Sequence, residues 1–531
     1  MKITFIFTAL LFSLSVFAAP TGSWQITPRP QQVELKQEKP FVINSKTTIR
    51  VVGSAEDMQR NATFLQQNIE EMTGIKPEIT AAAGNKQITL AIDASMNNEE
   101  GYAILTDNKR IDVKGKTPAA VFYAIQTITK ALPVAPGSSS VALPAARVTD
   151  APRFHFRGFL VDVGRHYFSV PYIKRIIDML ALHNINYFHW HLTEDQGWRL
   201  DIKKYPRLTT IGSYRKETIS NWETKEYDGT PHSGYYTQDD ARDIVRYAAE
   251  RYITVIPEID LPGHSLAALA AYPELGCTGG PYEVATTFGV FPDVLCGGNP
   301  QTLQFAKDVI NEVMDIFPSP YIHLGGDECP KDRWKVCPKC QARIKELGLT
   351  DKPGQSKEDQ LQAVFMNELE KVINARGRKL IGWDEVLDGA PSKSITVMAW
   401  TSYNAALRSA RMGHPTVVVP ISNLYFSNPR WNKLTGRESI ERVYDLEPVS
   451  PILEPAEQKN IIGVEACIWT EWTKDSTKME WQMMPRIAAM SELAWAPKYD
   501  KNLDTFMQAL RRLRAIYDLR GYNYKKDIFG E

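Results

Sequence analysis

The chain has 531 residues, 43% hydrophobic and 23% charged, enough for a large core spread over two or three domains. Lys+Arg and Asp+Glu both number 62, so the net charge is zero and nothing favours nucleic acid, a polyanion or an anionic membrane surface as a partner. The 12 Trp and 22 Tyr suit either a core or a sugar-binding cleft.

Lys2, the apolar stretch Ile3 to Phe17 and the small residues Ala18-Ala19-Pro20 read as a cleavable signal peptide over residues 1–19. The stretch is short for a spanning helix, and no later segment reaches about 18 unbroken apolar residues. No Cys lies near the cut, which argues against a lipid anchor. The expectation is a protein exported to the periplasm or beyond, without stable membrane insertion and with its oligomeric state open.

Residues 20–150 read as a small α/β domain. Thr47 to Val52 is rich in β-branched residues and predicts a strand; Glu56 to Met72 predicts a helix ending at Gly74; Ile88 to Ile92 predicts a second strand. Tyr102–Leu105 and Arg110–Val113 flank Asp107-Asn108 as a hairpin, and Thr117-Pro118 caps a helix to about Leu132. Pro133 to Pro144, rich in Pro, Gly and Ser, reads as a linker.

Over residues 151–531 short apolar runs alternate with helical stretches. The runs are Phe159–Val163, Tyr187–Leu192, Ile253–Ile259, Tyr321–Leu324, Lys379–Trp383, Thr396–Trp400, Thr416–Val419 and Ile461–Ile468. Helices follow Ser169, Thr237 (with Asp240 as a capping box) and Thr302, another fills 358–375, and a C-terminal helix ends the domain. Eight such alternations predict a (β/α)8 TIM barrel behind the small α/β domain. An open doubly wound sheet is the alternative, weakened because no Gly-rich phosphate loop follows the first run.

A barrel places function at the C-terminal ends of its strands, and polar residues collect there. The fourth run stops at Gly325-Gly326 and is followed by Asp327-Glu328, two crowded carboxylates of which one is driven towards its protonated form. Other runs end in His189-Trp190-His191-Leu192-Thr193-Glu194-Asp195, in Glu258-Ile259-Asp260-Leu261-Pro262-Gly263-His264, in Gly382-Trp383-Asp384-Glu385, in Trp400 and in Trp469-Thr470-Glu471; the seventh leads to Tyr425.

This ordered set, with Arg157-Gly158 and Asp162-Val163-Gly164-Arg165-His166, resembles the β-N-acetylhexosaminidases of glycoside hydrolase family 20 over about residues 24 to 500. The resemblance implies exo-acting, retaining hydrolysis of terminal N-acetylglucosamine or N-acetylgalactosamine. The substrate's own acetamido oxygen attacks the anomeric carbon, giving an oxazolinium intermediate. It implies that Glu328 is the general acid and base, that Asp327 holds the acetamido N–H, and that Tyr425 bonds the acetamido oxygen. Trp383, Trp400 and Trp469 would wall in the acetamido group and the sugar face. Arg157 and Glu471 would grip hydroxyls, and His264 with Glu194 and Asp195 would support the acid. Glu194 stands where relatives often have Asp. Ser427 stands where they often have Asp or Asn, which weakens one sugar contact.

No metal or cofactor is expected. The rival reading is a metal-dependent amidohydrolase using His189 and His191, which share one strand face, with His264 and His323 as further ligands. A non-catalytic glycan-binding protein is a third. Of the six cysteines, Cys277 and Cys296 flank a Gly-rich loop and are the first choice for a disulfide. Cys337-Pro338-Lys339-Cys340 resembles half a zinc site with no second such pair to complete it, so a disulfide or free thiols are expected there.

Overall fold

A computed structural model describes residues 19–389, 391–427, 433–434, 436–498 and 501–530. The expected signal peptide lies outside these, apart from Ala19. Among the described residues no helix is long and apolar enough to cross a membrane.

The N-terminal unit is a seven-stranded sheet in the spatial order 32–35, 146–150, 102–106, 110–115, 87–92, 48–51, 78–80. Glu56–Thr73 and Pro118–Ala131 pack on it and on each other. The local signals for these helices are satisfied: Gly74 closes the first in the left-handed region at φ 79°, and the Thr117 hydroxyl accepts the Ala120 N–H at the start of the second. The segment expected as a linker is not free. Ser140–Leu143 pairs antiparallel with Phe41–Asn44, and Ala146–Asp150 joins the main sheet. These partners lie far away in sequence, so the local Pro/Gly/Ser signal understates them.

The second unit is a closed barrel of eight parallel strands: Phe156–Asp162, Tyr187–His191, Thr254–Glu258, Tyr321–His323, Lys379–Trp383, Thr396–Ala399, Thr416–Val418 and Ile461–Ile468. Each overlaps one of the eight apolar runs. Gln238–Ala249 starts on the expected Thr237–Asp240 capping box, and Val170–Leu182 starts at the expected Ser169, which makes no side-chain cap bond. Helix 300–316 is an exception: it begins earlier than expected, capped by Asn299 instead of Thr302.

Strand parity decides what faces the inside. Phe156 and Leu160 join Ile256, Ile381, Met398 and Val417 in the interior cluster, whereas Phe159 and Val161 belong to the layer packed against the helices. The interior also holds charge. Glu258 accepts the Trp383 indole N–H at 2.9 Å and lies 2.5 Å from His191 Nδ1 and 3.0 Å from both His189 Nε2 and His323 Nδ1, while His189 Nδ1 lies 2.8 Å from Glu465. A buried carboxylate is tolerable only with such partners. Burial opposes the His189 imidazolium, but Glu465 and Glu258 outweigh it and raise the group to about 9.

The cysteines depart from expectation. Cys277 and Cys296 form no disulfide, and all six thiols are free. Cys296 Sγ lies 3.5 Å from Cys340 and 3.7 Å from Cys337, and Cys277 Sγ lies 3.9 Å from Cys340.

Candidate active site

The fourth barrel strand runs out into Gly325 and Gly326, at φ 62° and 92°. A Cβ on Gly325 would sit 1.8 Å from Asp260 Oδ1, so this turn needs glycine for space as well as for backbone angle. Glu328 itself takes φ 42° and His264 φ 47°, left-handed values that carry strain in residues with a Cβ. The turn separates the adjacent carboxylates. Asp327 points inward, its side chain 12% exposed, while Glu328 stands at the lip at 40%.

Asp327 Oδ1 is buried without a hydrogen-bond partner. Such an acceptor is costly unless something arrives to donate to it. Burial pushes the Asp327 carboxyl up to about 7; His264 opposes this, Glu258 and Glu328 add to it. Asp260, whose Oδ2 is also unpartnered, is driven well up by burial and by Asp327.

Behind the pair sits His264. Its Nε2 faces Glu328 Oε2 at 3.4 Å and Asp327 Oδ2 at 3.8 Å, and its Nδ1 faces Asp195 at 3.0 Å and Glu194 at 3.3 Å. Burial disfavours the imidazolium, but Glu194, with Asp195 and Glu328, outweighs it and raises the group well above its usual range. Both expected supporting carboxylates therefore reach His264. Asp195 is also anchored by the Leu266 N–H at 2.9 Å, and Glu194 holds Arg165 at 2.6 Å.

A cavity of ≈ 320 Å³ opens over Asp327 and Glu328, lined further by Trp400, Tyr425, Ser427, Trp469, Glu471 and Arg165. Trp400 and Tyr425 stack with ring centres 5.7 Å apart, and Tyr425 lies 6.0 Å from Trp469. Burial first, then Cys467 and Asp327, raise the Tyr425 phenol well above its usual range, so it keeps its proton as a donor. The Ser427 hydroxyl accepts the Trp469 N–H at 3.0 Å and so helps to set this wall. Trp383 backs the wall instead of forming it: it is 1% exposed, bonded to Glu258, with its ring 5.8 Å from Trp469. A second cavity of ≈ 380 Å³, lined by Val290, Lys331, Gln362 and Glu385 among others, shares Glu328.

Arg157 is not at this site. It lies near the N-terminal end of the first strand, and its odd parity with Phe159 and Val161 turns it outward. It is fully buried between the two units, with NH2 2.7 Å from Glu100 and its guanidinium over the Tyr123 and Trp495 rings. Burial works against the Glu100 carboxylate, but Arg157, helped by His155, holds it down to about 2. The guanidinium in the cavity belongs to Arg165, just past the end of that strand. It bonds Asp162 at 3.2 Å, lies over Trp469 and has Nε 4.0 Å from Glu471. The signal for Arg165 was its place after the strand end, together with Asp162.

The His189–His191 pair does share a strand face. Both rings are wholly buried, His189 against Glu258 and Glu465 and His191 against Glu258 and Glu194, and neither lines the cavity. A catalytic metal needs a coordination position open to substrate, and this cluster presents none.

Comparison with known proteins places the chain in a family. Residues 154–498 match the model of the glycosyl hydrolase family 20 catalytic domain, and residues 23–151 match the family's domain 2. A β-hexosaminidase of Porphyromonas gingivalis is 39% identical over 514 residues, covering 94% of this chain; the chain spans 64% of that protein's length. The crystal structure of a family 20 exo-β-N-acetylglucosaminidase from Vibrio harveyi, in complex with N-acetylglucosamine, superposes with a TM-score of 0.83 at 27% identity, covering 96% of this chain and 80% of the other. A β-N-acetylhexosaminidase structure from Bacteroides fragilis gives 0.78 at 30%, covering 94% and 96%. With both domain models matched and a barrel whose fourth strand delivers Asp327 and Glu328 to one pocket, the chain belongs to glycosyl hydrolase family 20 and is a glycoside hydrolase similar to β-hexosaminidases.

Proposed function

We propose that the chain is an exo-acting β-N-acetylhexosaminidase that removes terminal N-acetylglucosamine or N-acetylgalactosamine by a retaining, substrate-assisted route. The observation that carries this reading is the partnerless buried Asp327 Oδ1 beneath an aromatic-walled cavity, with Glu328 at its lip. An acetamido N–H supplies the missing donor. The Tyr425 hydroxyl donates to the acetamido oxygen, and the two contacts aim that oxygen at the anomeric carbon.

The C–O bond to the leaving group breaks as the acetamido oxygen bonds to the anomeric carbon, and Glu328 gives its proton to the departing oxygen. Positive charge spreads over the oxazolinium ring, where ionised Asp327 offsets it. Glu328, now a carboxylate, takes a proton from water, which opens the ring from the face the leaving group vacated. Configuration is retained after two inversions. Arg165 and Glu471 hold sugar hydroxyls at the closed end, which favours a terminal residue, and the cavity on the other side of Glu328 accommodates the aglycone. Export through a cleaved signal peptide at residues 1–19 completes the proposal; N-terminal sequencing of the exported protein tests it, with a start at or near Pro20 expected.

The mechanism is tested with a thiazoline analogue of the oxazolinium ring. Strong competitive inhibition is expected. Weak inhibition together with a trapped covalent glycosyl-enzyme would overturn the route.

A further inference from the structure

The cavity's neighbour in the fold carries a second chemistry. Two loops meet beside the active site. One follows the third barrel strand and carries Cys277 and Cys296, joined at its base by the Gly276–Leu295 bridge. The other follows Glu328 directly and carries Cys337 and Cys340. All four sulfurs lie within 4.8 Å of one another, with 3.5, 3.7 and 3.9 Å for three of the pairs. Cys296 has two sulfurs at nearly equal distance, which is one cluster and not two disulfide pairs. A tetrahedral zinc with Zn–S arms of about 2.3 Å has sulfur–sulfur edges of about 3.8 Å.

The surroundings fit a buried thiolate site. Val294, Trp334, Ile344 and Leu361 enclose the sulfurs in a small apolar cluster of their own. Cys337 is the N-cap of helix Pro338–Glu346 and Cys340 lies in its first turn, so one helix start brings two of the thiols to the cluster. A Cβ on Gly298 would lie 2.4 Å from Cys340 Cα, so glycine lets the two loops close together here. Cys277 is only half-buried and leaves a route for an ion. None of these four cysteines lines the cavity over Asp327 and Glu328.

We infer that Cys277, Cys296, Cys337 and Cys340 form a structural tetrathiolate site for one zinc ion, which staples the loop after Glu328 to the loop after His264. On binding, four S–H bonds give up protons to solvent and four S–Zn bonds form, with no change of oxidation state. Both stapled loops begin at residues held at positive φ, His264 and Glu328. The ion would thus fix the orientation of the catalytic carboxylate from outside the cavity.

The test uses the full mature chain purified without chelator. Elemental analysis should give one zinc per chain, and the mass of the denatured protein should be that of six free thiols. Removal with a mercurial and refilling with Co(II) should produce thiolate-to-cobalt charge transfer and tetrahedral visible bands. Cys340→Ser should lose the zinc; if that variant does not fold, the zinc count and Co(II) spectrum of the unaltered protein still decide. Substoichiometric zinc with a mass lowered by disulfide formation, or free thiols and no cobalt spectrum, would overturn the assignment.

Discussion

Two buried charged clusters in this molecule look alike by composition and differ in completeness. Between the domains, Arg157 meets Glu100 and is further satisfied by the Phe154 and Asn184 carbonyls at 2.8 Å. At the barrel mouth, Asp327 and Asp260 each keep an unpartnered oxygen, and burial pushes the Asp327 carboxyl up to about 7. A cluster that is complete in itself holds the fold; one that waits for a donor is built for a ligand. Charge and burial alone do not separate the two, as the expected role of Arg157 illustrates.

The largest effect should come from the lip of the incomplete cluster. Glu328→Gln should slow hydrolysis of substrates with poor leaving groups by about 10²–10⁴-fold, and much less with p-nitrophenyl leaving groups. Folding should be undisturbed, since the side chain is 40% exposed. Asp327→Asn keeps the size but loses the charge, and should cost about 10²–10³-fold in formation of the intermediate, read as kcat/KM.

Arg157→Ala addresses the complete cluster. It strands Glu100 and should destabilise the fold by about 3–5 kcal/mol in denaturant melts while kcat at low temperature stays close to normal. A kcat loss like that of Glu328→Gln, without a stability change, would return Arg157 to the active site. A smaller and pH-dependent effect follows from Glu100. Its carboxyl is depressed from 4.5 to about 2 on folding, so its contribution of roughly 3 kcal/mol is present above the unfolded value and is lost as pH falls towards 2. The stability gap between the wild type and Glu100→Gln should therefore narrow on acidification.

The barrel was legible because each strand is a short apolar run that ends in polar residues, and Asp327, Glu328, His264 and Trp469 could be placed by that rule. Arg157 was misplaced because its position five residues before the strand end, and its outward parity, carry no mark in a motif read as a string. Arg165 lay in the same motif, beyond the strand. The pairing of Ser140–Leu143 with Phe41–Asn44 and the gathering of four cysteines from two loops were not legible. Both depend on contacts between distant segments, which local patterning does not encode.

The claim that the open cluster waits for an acetamido group has a direct measurement. Fluorines added to the substrate's acetamido methyl withdraw electrons from the carbonyl oxygen and weaken it as a nucleophile without enlarging the group much. The account predicts that kcat on p-nitrophenyl glycosides falls steeply with each added fluorine. A kcat indifferent to fluorination would contradict it, because the attacking atom would then have to come from the protein or from water.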